Sequence, residues 1–347
     1  MPRSLALASL AAFGLALGAC TAENPNAPAS AETASPSDPA LAARAVPAPA
    51  ALVRSNLSPQ LQRLVAQVDD FNAKLAAAGS DLRLQYPWLF VVGGGNENGH
   101  GMDGDEGTDP FGQLRTGARW IQSDVSYIID SSDFTPDETP ANVEAALIAA
   151  FETWDNVPRA NLTSTEVPDP GGNFDVLDGT IVNGQCLSIF DLSSPNLDLA
   201  TGDITPEADV VFGGWLPPEY FVECLGNANI LGVTWFFSGG DANGDKFADQ
   251  QYVEQYYNDG FNWATSGSVY LDGASPMDIQ SVIVHEVGHT HGLGHFGGPI
   301  NRQPFSLKPN GRVFNPEAVM NPFYLNGEKR DLLSTDVAAF SSLYRRR

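Results

Sequence analysis

Four of the chain's five histidines fall in one stretch, HEVGHTHGLGH at residues 285–295, and that spacing constrains the fold more than any other feature. His285 and His289 are four positions apart, so on an α-helix their imidazoles emerge from one face about one turn apart and can reach one ion. Glu286 points to the side of that pair, where a carboxylate can act as base on a water at the metal without becoming a ligand. Gly292 tolerates the left-handed conformation that ends a helix, and the turn that follows brings His295 round. Three neutral histidines leave one tetrahedral position of a zinc ion open, the mark of a catalytic site. A bare H-E-x-x-H fits many helices, whereas the full H-E-x-x-H-x-x-G-x-x-H is specific. His291 should point away from the metal, as a surface residue or as a support behind the ligands. The helix is expected to start at Ser275-Pro276-Met277-Asp278, with Ser275 as cap and Pro276 at the first position.

Apolar spacing organises the rest. Leu61, Leu64, Val65, Val68, Phe71 and Leu75 recur at helical intervals, with Ser58-Pro59 suited to start the helix and Gly79 to stop it. LRLQYPWLFVVGGG reads as a strand running into an acidic, glycine-rich loop over 93–109. Residues 58–110 are either a removable prosegment or a permanent extension. In ARWIQSDVSYIID, Val125, Tyr127 and Ile129 alternate as in a half-buried strand. Val143, Ala146, Leu147, Ala150, Phe151 and Trp154 then form one helical stripe. Further strands are expected at 208–215, 229–237 and 268–273. The predicted class is α+β, with a twisted mixed sheet in a domain spanning 111–347.

The formal charge of −24 sets a polyanion such as nucleic acid at a disadvantage, so none is expected as a partner. Residues 1–19 have the apolar run of an export signal, too short for a spanning helix of about 20 residues. Leu17-Gly18-Ala19-Cys20 resembles the lipobox of bacterial lipoproteins, which makes Cys20 the lipid-bearing residue; ordinary signal-peptide cleavage is the alternative. Thr21 leans toward the outer membrane, with a secreted protein as the other outcome. Residues 20–57, rich in Ala, Pro, Ser and Thr, read as a disordered tether. With Cys20 acylated, Cys186 and Cys224 are the remaining thiols, either bridged or buried and free.

Residues 285–295 match the zinc-binding signature of the metzincin metallopeptidases, and AVMNPFY supplies the methionine turn of that family at Met320. Within the metzincins the chain resembles the matrixins from about Arg119 to Tyr344, including a closing helix at LSTDVAAFSSLY. The resemblance implies zinc on His285, His289 and His295, Glu286 as general base, Met320 beneath the site, and Pro322 and Tyr324 walling the pocket for the residue after the scissile bond. Pro322 stands where astacins and serralysins have a ligating tyrosine. Only His100 remains for the second, structural zinc of vertebrate-type matrixins, so none is expected. No cysteine lies between Cys20 and Cys186 to serve a cysteine-based latency.

DANGDKFAD places Asp241, Asn243, Asp245 and Asp249 at positions 1, 3, 5 and 9 of a calcium-loop pattern, with the Phe247 carbonyl at 7. Lys246 replaces the usual glycine, and Tyr252 stands where a glutamate would close the shell, although Glu254 is near. A solvated acidic turn is the alternative to calcium. Together these features predict a monomeric, lipid-anchored zinc endopeptidase of the bacterial envelope acting on polypeptides. A non-catalytic zinc-containing binding protein and a zinc hydrolase of a non-peptide amide or ester are the rivals.

Overall fold

Ser58 starts the first helix by accepting from the Leu61 N–H at 3.2 Å, and Gly79, at φ +87°, turns the chain out of it. The computed structural model describes residues 58–92, 118–130, 133–171, 175–177, 179–190, 194, 196–198, 200–245, 247–265, 276–295, 318–321, 323–324 and 328–345. The leader, Cys20, the tether, the acidic loop and the strand expected at 268–273 lie outside them. In order the elements are α1 (Pro59–Ala77), β1 (Arg83–Leu84), β2 (Trp88–Val92), β3 (Ala118–Arg119), β4 (Asp124–Ile129), α2 (Pro140–Asp155) and β5 (Thr163–Glu166). Two small hairpins follow, β6 (Thr180–Val182) with β7 (Gln185–Ser188) and β8 (Leu197–Asp198) with β9 (Asp203–Ile204). Next come β10 (Val210–Leu216), α3 (Pro218–Glu223), β11 (Ile230–Ser238), β12 (Ala248–Asn258), β13 (Trp263–Ala264), β14 (Met277–Asp278), α4 (Ile279–Thr290), β15 (Phe323–Tyr324) and α5 (Ser334–Tyr344).

The fold is mixed α and β around a mixed nine-stranded sheet, whose main path runs β15-β2-β11-β12-β10-β4-β5. β4, β5, β10 and β12 are parallel, while β11 runs antiparallel to both β12 and β2. Alternate residues face two separate cores. Val125, Tyr127, Val210, Phe212, Leu231, Val253 and Tyr257 pack on the α2, α4 and α5 side. Leu89, Val211, Val233, Trp235, Phe237, Tyr252 and Tyr256 face the other side, where α1 lies. The six apolar residues that predict α1 are all 0–2% exposed, and Phe71 stacks on Phe190 with ring centroids 4.3 Å apart. At about 2 kcal/mol for each buried side chain, α1 is a structural layer. No boundary between an extension and the main domain falls in this part of the fold, because β1 and β2 pair directly with β11.

β12 is a strand that periodicity alone did not reveal. It begins at Ala248, so Asp249, Tyr252 and Glu254 belong to a sheet, and DANGDKFAD runs from the connection between antiparallel β11 and β12 into the first two residues of β12. Both faces of β12 are covered, so its side chains are buried almost without alternation. Cys186 and Cys224 form a disulfide across Cα atoms 5.2 Å apart, tying the β6–β7 hairpin to α3. Among the described residues no helix is long and apolar enough to cross a membrane.

Two stability measurements follow. Cys186→Ser should cost about 2–4 kcal/mol in urea unfolding, given the 38-residue separation of the bridge, and reductant should remove the same amount from the wild type. Phe71→Ala should cost about 3–5 kcal/mol, whereas an α1 that merely rested on the surface would lose less than about 1.

Candidate metal centre

α4 starts later than expected. Asp278 is its cap, accepting from the Ser281 N–H at 3.0 Å, and Met277–Asp278 pair with Trp263–Ala264 as a short parallel ladder. Asp278 also pairs with Arg330, whose Nε lies 2.9 Å from Oδ2, which holds the capping carboxylate in place. From there α4 runs through the interior with every residue but Gln280 buried. Its flank is held by Trp154, whose indole N–H donates to the Val284 carbonyl at 2.8 Å. Trp120 does the same for the Thr290 carbonyl at 2.8 Å. Gly292, at φ +80°, ends the helix as expected, with its N–H donating to the His289 carbonyl at 2.8 Å.

That turn brings the three histidines together. The Nε2 atoms of His285, His289 and His295 lie 3.0–3.2 Å from one another. Three ligands about 2.0–2.1 Å from a tetrahedral zinc stand roughly 3.3 Å apart, so the donor set fits such an ion. Backbone acceptors select the tautomers. Nδ1 of His285 lies 2.6 Å from the Val319 carbonyl and Nδ1 of His289 lies 2.7 Å from the Leu293 carbonyl, which leaves both Nε2 lone pairs facing inward. Burial pushes the His289 imidazole down to about 3 and holds His285 and His295 well below the usual value, so all three are neutral at pH 7. Among the described residues this is the one group of three or more metal-ligating side chains that converges.

Glu286 is fully buried beside the triad. Its Oε2 accepts from the Thr234 hydroxyl at 2.5 Å, while Oε1 has no hydrogen-bond partner. Burial raises its carboxyl to about 8 against the smaller opposing effect of Thr234. Gly232 on β11 makes room for it, since a Cβ there would sit 2.6 Å from Oε1.

Met320 packs against α4 at Gly288. A Cβ on Gly288 would stand 2.2 Å from Met320 Sδ and 2.8 Å from the Trp154 ring. The turn Ala318–Asn321 is held by Asp336, which the sequence reading missed. Its carboxylate accepts from Val319 N–H at 3.1 Å, Met320 N–H at 3.2 Å and Leu333 N–H at 2.9 Å. The signal was there, in an acidic residue in the first turn of LSTDVAAF, where a cap is expected. Tyr324 is buried beside the site and Pro322 lies outside the described residues.

Three further expectations are corrected or refined. His291 points away from the triad but is not on the surface; it is fully buried among Phe151, Trp154 and Phe340, because α5 closes over it. The acidic turn is closed by its own bonds: Asp241 and Asn243 accept from the Asp245 N–H, Asp249 accepts from Ala242 N–H at 2.8 Å, and Arg119 pairs with Asp245. Glu254 is not a closing ligand, because its carboxylate is buried against the Val176 and Leu177 N–H groups at 2.8 Å each. The other missed residue is Phe90, whose ring lies flat on His285 with centroids 3.8 Å apart.

Metal analysis of the purified protein should find one zinc per chain, and His289→Ala should abolish it. Gly288→Ala should cost about 1–3 kcal/mol, since Trp154 is pinned by its indole bond and cannot make way. The sequence matches no protein-family model, and none of the curated proteins matches it.

Proposed function

We propose that the protein is a zinc-dependent endopeptidase of matrixin-like, metzincin type. The observation that carries this reading is the convergence of three neutral imidazoles beside a buried carboxylate that keeps one oxygen unengaged. A purely structural zinc would have no use for such a base. Met320 against Gly288 and the buried Tyr324 support the family assignment.

When bound, the zinc supplies Lewis acidity at the position that the three imidazoles leave open. Glu286 takes a proton from the attacking water with Oε1 and returns it to the leaving nitrogen. Thr234 holds the other carboxylate oxygen, so the free one keeps a fixed direction. The apolar leader and the Leu17–Cys20 motif extend the reading to a lipid-anchored envelope protein that meets polypeptides outside the cytoplasm.

The test is hydrolysis of casein by the purified, zinc-loaded protein. Glu286→Gln should lower kcat/KM by about two to four orders of magnitude while leaving one zinc bound. A chelator should abolish activity and added zinc restore it. One bound zinc with no hydrolysis by any variant would instead favour a binding protein.

A further inference from the structure

The backbone edges nearest the histidines are occupied by the chain's own β2. On one side β2 runs antiparallel to β11, with Trp88, Leu89 and Phe90 opposite Thr234, Val233 and Gly232. On the other it runs parallel to β15, with Val91 and Val92 opposite Phe323 and Tyr324. The β11 register shifts between Ile230 and Gly232, beside the Phe90–Val91 junction. Phe90 is 1% exposed, stacked on His285 with an interplanar angle of 11° and edge-on to Tyr324 at 5.7 Å. Gly232, its partner across the ladder, is the residue whose missing side chain accommodates Glu286. Phe90 therefore crosses within one strand spacing, about 5 Å, of the glycine that touches the proposed base.

An extended peptide bound by strand addition looks like this: ladder bonds to a sheet edge, and alternate side chains in pockets. We infer that β2 is an internal occupant of the peptide track, and that one of the two peptide bonds flanking Phe90 is the first bond this site hydrolyses. The inference rests on the peptidase reading. In the step, water adds its oxygen to the carbonyl carbon and Glu286 takes one of its protons. The C–N bond breaks, and the nitrogen leaves as an amine carrying the proton that Glu286 returns. The products are a carboxyl group and a new N terminus, with no change of oxidation state.

The intact chain is thereby closed to other polypeptides. Once cut, neither half of β2 spans the whole ladder, each half holds fewer pairings than the intact strand, and the track opens. The N-terminal piece does not fall away, because α1 remains buried in its own core. Self-cleavage would convert a closed chain into a nicked, open one.

The experiment follows the purified full-length protein, zinc-loaded, as wild type, Glu286→Gln and Phe90→Ala. Intact mass and N-terminal sequencing are read alongside casein hydrolysis. The wild type should acquire a new N terminus at Phe90 or Val91 while Glu286→Gln stays whole, and casein hydrolysis should rise at least tenfold as the intact chain disappears. The two fragments should co-elute on gel filtration. Phe90→Ala should cut casein without a lag. A readout that needs no turnover is hydrogen exchange of the Ile230–Thr234 amides, slow in Glu286→Gln and at least tenfold faster when Phe90→Ala is added. Should Phe90→Ala not fold, Val91→Pro, which is incompatible with a strand paired on both sides, carries the same expectations. Full casein activity from the outset by a chain intact through 88–92 would overturn the inference and leave the peptidase reading standing, as would cuts confined to other sites. A wild type that never cuts itself, beside an active Phe90→Ala, would overturn the self-cleavage. If every variant is inert on casein and on itself, the peptidase reading fails and takes this inference with it.

Discussion

The Nδ1 atoms of His285 and His289 sit against the Val319 and Leu293 carbonyls, and much of the structure serves those two contacts. They set the tautomer of each ring, so the Nε2 lone pairs point toward a common centre shared with His295. Without a cation such an arrangement is unfavourable, because neutral imidazoles buried this deeply cannot relieve the convergence by taking up protons. An ion held by this group would therefore stabilise the folded chain. Val319 stays in place because Asp336 grips its turn from α5, and Leu293 because Gly292 turns the chain back under α4.

A second consequence is the tightness of the layer beneath the ligands. Gly288, Met320 and Trp154 meet with no room for a methyl group, and His291 fills the space between α2 and α5 as an uncharged aromatic ring. The ligand helix is thus positioned by packing on both sides and by indole bonds along its flank. On the opposite face of the sheet α1 provides a core of its own. That second core lets the segment leading into β2 remain anchored whatever happens to β2 itself, and it links the N-terminal part of the chain to the proposed active site.

The local signals in the sequence were faithful where one element buries one face. Both long amphipathic helices, α1 and α2, bury the same six residues that their spacing picked out, and Gly79 and Gly292 adopt the positive φ that their positions called for. The signals misled where tertiary contacts took over. Ser275, read as the cap of α4, lies outside the described residues, and the cap is Asp278, which also pairs with Arg330 from far along the chain. ADQQYVEQYYN hid a central strand, since burial on both faces erases alternation and Glu254 and Gln255 find partners inside.

By itself the sequence determined that His285, His289 and His295 converge with Glu286 beside them, because i, i+4 geometry and one left-handed glycine are local properties that survive in any context. Tertiary structure alone decided what surrounds them. That Asp336 clamps the Met320 turn, that His291 is interior, that Cys186 meets Cys224, and that Phe90 lies across His285 all depend on pairings between segments distant in the chain. Such pairings follow from how the sheet is ordered and which faces are covered, and strand order leaves no periodic trace in the residues that obey it.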